Sequence, residues 1–584
     1  MRVALWVGVG IGCQAPVQVA SPDRTDAPPE VEPPVATSRT TPIYGGTMSV
    51  DQQRILVADP GLDRITLTTP DLALVHRFQF EEGAAPFRSH IDGNSAYVVL
   101  RGTGQVAKLN LLDFTVTTAN VCVEPRGIDT DANGLVVACA SGDLVELDRD
   151  LVIQRSAQPG PDLRDVVIEG AVVWVSSFRS SEVMRLDRTT LEVEYRALPD
   201  LSPTVQSEST GRVAWRMHPH PDGGVLVLHS AQSNRPIELD PGKEEATPAY
   251  GGGNVCTGET VSTTHLTWLH EDDIETSAAL PFVSPAYDFW VEADGVWVPN
   301  LAPPLLGAPL SFTTAAYIPF TFIYPFEGPC LDFAEVDAFE MPMPATSIVR
   351  IDGRTVVFRR EPSHLSSLDV QIDLGDTYSS NEAFDAFHEL TPSGLACATC
   401  HPEGQDDGHV WLFEDLGPRR TQNLAGGVMQ RAPFHWDGEF TRLDQLMEDV
   451  FLGRMGVSEV PDVPALGEWM DRLPPTQPNL GDDEQIYAGQ MLFESPALGC
   501  ADCHRGPQMS DAQRHLVRPG QTVPTKTPSL IAVGARAPYM SDGCAPTLRD
   551  RFLDPECGGG DSHGVTSQLQ DEELNALIDY LKSL

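Results

Sequence analysis

A chain of 584 residues is too long for a single hydrophobic core and predicts several domains. Its formal net charge of −44 leaves no basic patch to neutralise phosphate, which excludes nucleic acid and anionic membrane surfaces as partners. Most of that charge is a solvated acidic surface, and it favours a small basic protein as the partner.

At the N-terminus Arg2 precedes an apolar run over residues 3–11, followed by Gly12 and Cys13. This pattern predicts an export signal over residues 1–13. A cysteine directly after the run resembles a bacterial lipoprotein cleavage site, which implies a lipid on Cys13; Gly10 stands where leucine is commonest. No other stretch reaches the length of a bilayer span, so such an anchor is the one predicted membrane attachment. Residues 14–42 are rich in Pro, Asp, Glu and Thr and predict a disordered tether.

From 43 to 365 the pattern is β. Short apolar or alternating runs at 54–58, 96–100, 134–138, 172–175, 224–228 and 295–298 are separated by Gly, Pro, Asn and Asp. Several are followed by a second strand with a similar ending, at 105–110, 143–148, 181–187 and 235–240. The early repeats recur at roughly 40 residues, the spacing of propeller blades. The segment resembles a YVTN-type or quinoprotein-like β-propeller of six or seven blades, with loops at 244–287 and 300–344 breaking the period. A pair of β-sandwiches is the alternative. His218, His220 and His229, with His265 and His270 beyond, suggest a metal site, but such histidines more often cap loops on a propeller face.

After the propeller the pattern turns helical. A helix over 381–390 leads into Cys397-Ala398-Thr399-Cys400-His401, and one over 487–493 leads into Cys500-Ala501-Asp502-Cys503-His504. Both pentapeptides fit C-x-x-C-H, the attachment signature of c-type haem. Two thiols at this spacing form thioethers to one porphyrin, and the next residue delivers an imidazole to the iron. Composition alone predicts roughly 0.005 such matches in the chain. A zinc site is the rival, yet paired zinc ligands usually lie within about 15–20 residues of each other, far less than the spacing here.

Eleven cysteines are present. Setting aside the four motif thiols and Cys13, the rest fall as near neighbours: Cys122 with Cys139, Cys256 with Cys330, Cys544 with Cys557. Three disulfides are predicted, in an oxidising compartment such as the periplasm.

Behind each motif the same phrases return in order. Thr421-Gln422-Asn423-Leu424 is answered by Thr527-Pro528-Ser529-Leu530, and Ala432-Pro433-Phe434-His435-Trp436-Asp437-Gly438 by Ala537-Pro538-Tyr539-Met540-Ser541-Asp542-Gly543. Arg454-Met455-Gly456 is answered by Ser562-His563-Gly564, each followed by an amphipathic helix. In the last helix Leu574, Leu577, Ile578, Leu581 and Leu584 form a packing stripe. The repeat predicts two duplicated all-α cytochrome c-type domains, over 378–480 and 481–584.

These motifs make residues 378–584 resemble the bacterial di-heme cytochrome c peroxidases and the di-heme oxidases that mature methylamine dehydrogenase. The resemblance implies one haem with an exchangeable sixth position, one six-coordinate haem that stores an electron, and a small electron-carrying partner. It also implies sixth ligands. His563 stands where the family's peroxidases usually place a methionine, with Met540 as its competitor in the second module. In the first module Met455 is the duplicate of His563, with His435 and His409 as alternatives; Met455 also fits core packing. Arg454 takes the place of the family's acidic residue, with Glu448 and Asp449 a turn away. A guanidinium polarises a bound oxygen but does not shuttle a proton, which puts peroxidase turnover in question. Arg454 and His435 are the candidate catalytic residues. The oxygen-rich run from Glu403 through Asp406 and Asp407 to Gly408 offers calcium ligands, short of a full set.

Three functions fit: an exported di-haem oxidoreductase acting on peroxide or a partner protein, a closed electron conduit, or a redox sensor whose propeller binds a protein or polymer.

Overall fold

A computed structural model of the chain describes residues 45–199, 209–239, 249–251, 260–270, 273–274, 278–280, 286–299, 313–320, 335–339, 345–375, 382–478 and 481–584. The expected export signal, Cys13, the tether and the Cys256–Cys330 pair lie outside these residues. Cys122–Cys139 and Cys544–Cys557 are disulfides, as the spacing predicted, and the four C-x-x-C-H cysteines take part in none. Among the described residues no helix is long and apolar enough to cross a membrane.

Seven sheets of consecutive antiparallel strands form seven propeller blades, at 48–79, 86–120, 125–157, 163–197, 209–280, 290–339 and 347–373. This excludes the sandwich alternative and carries the propeller past 365, because Gln371–Asp373 is the outer strand of the last blade. The two predicted period-breaking loops are not loops throughout. They contain strands of blades five and six, including Ser262–His270, Thr313–Pro319 and Glu335–Phe339. The phrase at 235–240 is no blade strand either: Ile237 makes a lone bridge to Phe413 in the C-terminal third.

Alternation of apolar residues explains the stacking. Both faces of the second strand in the early blades are buried, as in Ile55–Asp59 and Gly134–Cys139, because each blade is covered by its neighbours. Carboxylates staple blade to blade: Asp129, Asp165 and Asp288 accept the backbone N–H of Ile168 at 2.8 Å, Met217 at 2.8 Å and Ile348 at 3.0 Å. Met48 N–H donates to Ser347 Oγ at 3.2 Å and closes the ring between first and last blades.

The C-terminal third is less helical than expected. Among the described residues eight α-helices, α1 Glu382–His388, α2 Cys397–Cys400, α3 Leu443–Met447, α4 Val463–Asp471, α5 Asp483–Phe493, α6 Cys500–Cys503, α7 Leu548–Leu553 and α8 Asp571–Lys582, are joined by long irregular stretches and two hairpins. Helix α5 starts at Asp482, whose carboxylate accepts from Glu484 N and Gln485 N. Its Gly489 lets α8 approach so closely that a Cβ there would lie 2.0 Å from the Ala576 carbonyl oxygen. The predicted stripe Leu574, Leu577, Ile578 and Leu581 is buried in this contact.

The duplication is visible in the backbone. His435 (φ 66°) and Met540 (φ 74°) are both left-handed. Each is followed by a lone antiparallel bridge, Phe434 to Phe440 and Tyr539 to Ala545. The hairpin Val410–Phe413 with Gly417–Arg420 is matched by Arg514–His515 with Thr525–Lys526.

Propeller and C-terminal third pack as one compact unit. Arginines recur on the innermost strands of four successive blades, at Arg88, Arg126, Arg164 and Arg216. Glu403, two residues after His401, enters this cluster in a left-handed conformation (φ 56°). It pairs with Arg164 at 2.5 Å and Arg101 at 2.9 Å, and Arg101 also holds Glu124. Burial alone would push the Glu403 carboxyl up, but Arg101 and Arg164 bring it down to about 2. Next along the loop, Asp406 accepts from Arg420 at 2.9 Å and Arg179 at 3.4 Å, and Asp407 from Gln232 at 3.3 Å. The loop expected to offer calcium ligands therefore spends two of its carboxylates on guanidinium groups and locks onto the propeller.

Glu403→Gln should lower stability by about 3–5 kcal/mol, the cost of breaking a buried pair. Because the folded-state value lies below the usual ~4.3, the carboxylate's contribution is complete above that pH and is lost as pH falls towards 2. Denaturation midpoints across this window should fall less steeply for the variant than for the parent.

Candidate functional site

Each C-x-x-C pair forms one helical turn, and the following histidine caps it, with His401 N–H donating to Cys397 O at 2.9 Å and His504 N–H to Cys500 O at 3.0 Å. The rings are fixed alike. His401 Nδ1–H donates to the Gln405 carbonyl at 3.1 Å and His504 Nδ1–H to the Met509 carbonyl at 3.1 Å, which makes Nε2 of each the nitrogen that would serve as a ligand. Burial lowers both histidines, His504 to about 4, so both rings are neutral at physiological pH.

In the second module the ring of His563 stands 6.0 Å from that of His504, centre to centre, with planes 29° apart. Two imidazoles ligating one ion from opposite sides, each nitrogen roughly 2.0–2.1 Å from the metal, place their ring centres about 6.3 Å apart. The loop bearing His563 is held from below: Arg551 Nη2 donates to its carbonyl at 2.8 Å, and Val565 N–H donates to Leu498 O at 2.9 Å. Burial, then Arg551 and His504, keep His563 neutral. Its competitor Met540 packs against the module's apolar core.

In the first module His401 lines a cavity of about 260 Å³, measured as space open to the centres of water-sized molecules. Cys397, Cys400, His435, Arg454 and Met455 line the same cavity, and Met455 is 3 % exposed. His409 does not. Its Nε2 donates to the Ser233 carbonyl at 3.1 Å in blade five, which removes it from the candidate ligands. Glu448 is exposed, and Asp449 is taken by Arg454 at 2.7 Å.

Three features of this cavity were not read from the sequence. Glu439 lines it and accepts from His435 Nδ1 at 2.5 Å, a bond that holds the carboxyl below its ordinary value. Its position four residues after His435 was the available signal. Tyr250, from the propeller, also lines the cavity. Finally Arg431, Lys526 and Arg536 converge at the seam between modules. Burial lowers Arg431 to about 10, Lys526 to about 8 and Arg536 to about 9, with Arg431 pressing further on Lys526 and Arg420 on Arg536.

The donor set fits a c-type haem in each module. Each motif supplies two cysteines outside any disulfide and a histidine, and the first cavity carries buried cations suited to the carboxylates of the ring. Burial pushes the Cys397 thiol up to about 12 and Cys400 well above its ordinary value, the reverse of what a thioredoxin-like thiolate requires. A shared zinc site does not fit, since the two cysteine pairs belong to separate cores. Among the described residues one cluster of His, Cys, Asp and Glu brings its ligand atoms within 4.8 Å: Cys503, Asp511 and His515. It borrows a motif thiol, and His515 Nε2 already bonds Asp511 at 2.9 Å. The propeller histidines do not converge: His218 packs on Phe289, His220 stacks on Trp268, and His229 pairs with His265.

No family model matches the chain. It is 28% identical over 273 residues to hydrazine synthase subunit gamma of Kuenenia stuttgartiensis, covering 35% of this chain and 76% of that subunit. Among solved structures, a chain of Kuenenia stuttgartiensis hydrazine synthase aligns over 60% of this chain and 99% of its own length, at 14% identity and a TM-score of 0.45. Virginiamycin B lyase from Staphylococcus aureus aligns over 57% of this chain and 96% of its own, at 9% identity and a TM-score of 0.36.

Proposed function

We propose that the chain is an exported di-haem c-type cytochrome acting as an oxidoreductase, with one haem in the first cavity and one between His504 and His563. The observation that carries this reading is the asymmetry of the modules: a histidine pair 6.0 Å apart in the second, and in the first a largely apolar cavity that His401 lines together with His435, Glu439 and Arg454. A bound haem supplies one-electron transfer and, where its sixth position is free, a place for a small ligand.

The chain's own residues divide the remaining work. Cys397 and Cys400, and Cys500 and Cys503, anchor the rings; His401 and His504 ligate, their Nδ1–H bonds fixing tautomer and orientation. His563 closes the second site. Arg431, Lys526 and Arg536 receive carboxylates of the first ring. Arg454 polarises a ligand in the first cavity, and His435 with Glu439 holds and returns a proton, a task Arg454 cannot perform. Glu439 thus supplies the acid that the peroxidase resemblance calls for and that the chain lacks at Arg454.

Similarity to a hydrazine synthase subunit supports a redox role and favours a small nitrogen or oxygen compound as substrate. The acidic surface suits a small basic electron carrier, and the disulfides suit a periplasmic or envelope location, with Cys13 as the anchor point. The burial of Met455 beside the first cavity favours a second reading, in which it closes that site and the protein is an electron conduit or redox sensor.

In the ferric holoprotein, electron paramagnetic resonance should show one high-spin and one low-spin haem. His563→Ala should abolish the low-spin signal, and Met455→Ala should leave the high-spin one unchanged. Two low-spin signals, one of them lost in Met455→Ala, would establish the conduit instead. Removing a cation near an iron disfavours the reduced state, so Lys526→Met should lower one midpoint potential by roughly 50 mV and leave the other in place.

A further inference from the structure

Tyr250 belongs to blade five, yet it is fixed to the first module. Its N–H donates to the Arg454 carbonyl at 3.0 Å, and its hydroxyl lies 3.3 Å from Arg454 Nη1. Its ring packs against Trp411 and Phe413, as Cys400 and Val261 do. A guanidinium has donors and no acceptor, so in this contact the phenol oxygen must accept. The phenolic hydrogen is unused by that bond, and both residues line the cavity.

The duplication indicates which side of the cavity they occupy. Arg454-Met455 corresponds to Ser562-His563, and His563 faces His504 across the second site. Arg454 therefore adjoins the position that corresponds to His563. Asp449 holds its Nε at 2.7 Å, which steadies the guanidinium while Nη1 reaches Tyr250.

We propose that Tyr250 is a ligand-binding residue of the first haem site, donating its hydroxyl hydrogen to the hydrogen-bond-accepting atom of a small ligand opposite His401. The propeller is then part of the reaction site. Such a bond strengthens a ligand that presents a good acceptor and gives no advantage to one that presents a poor acceptor. This inference rests on the open first site proposed above.

The test uses the full-length holoprotein and two probes followed by optical titration: fluoride on the ferric form, a strong acceptor, and carbon monoxide on the ferrous form, a weak one. Tyr250→Phe keeps the ring and the backbone bond to Arg454. It should weaken fluoride binding about tenfold, change carbon monoxide affinity less than twofold, and leave the low-spin signal of the second haem and the thermal midpoint unchanged. Equal fluoride affinity in parent and variant, or equal losses for both probes, overturns the role of Tyr250 while the open site stands. If neither haem of the parent takes fluoride or carbon monoxide, the open site and the role of Tyr250 fall together.

Discussion

A carboxylate held among guanidinium groups joins the two halves of this molecule. Glu403 follows His401 by two residues, and its left-handed backbone turns it into the arginines at the propeller axis. Neither charge is tolerable there alone, since each unpaired ion would meet a desolvation penalty of several kcal/mol. The pairing thus makes propeller and first module interdependent. Asp406 and Asp407 extend the attachment, and Gln405, lying between Glu403 and Asp406, supplies the carbonyl that orients the imidazole of His401. The propeller reaches the site through this loop as well as through Tyr250.

The duplicated modules share a backbone and differ in what they put on it. The left-handed position carries His435 in one and Met540 in the other, and Met455 of the first corresponds to His563 of the second. In the second module two neutral imidazoles stand 6.0 Å apart. In the first, His401 shares its cavity with groups that donate, accept and carry charge. Divergence after duplication has concentrated chemical variety on one side.

Legibility in the sequence followed how local each feature is. The C-x-x-C-H motifs are readable because attachment at two points of one ring demands fixed spacing, and two disulfides because their cysteines are near neighbours. Blades one to four announce themselves through tight turns; in blades five and six the strands are far apart along the chain, so the period is lost although the sheets persist. The recurrence of Arg88, Arg126, Arg164 and Arg216 was present as a pattern. Its meaning depended on an acid more than two hundred residues away in the case of Arg164 and Glu403. Glu439 lies close to His435 in sequence, but only the turn through Gly438 (φ 60°) folds it back. Tyr250 and Lys526 reach the first cavity from a different blade and a different module, which no local pattern encodes.

The first cavity has walls from three parts of the chain: Tyr250 and Val261 from the propeller, the first module itself, and Lys526, Pro528, Ser529 and Arg536 from the second module. On the proposed reading this imposes an order of assembly. A ring as large as a porphyrin must be joined to Cys397 and Cys400 while the chain is still open, and docking of the outer parts then seals it in. Maturation becomes a one-way ratchet, and a fragment cut at either boundary would display the pigment's edge to solvent.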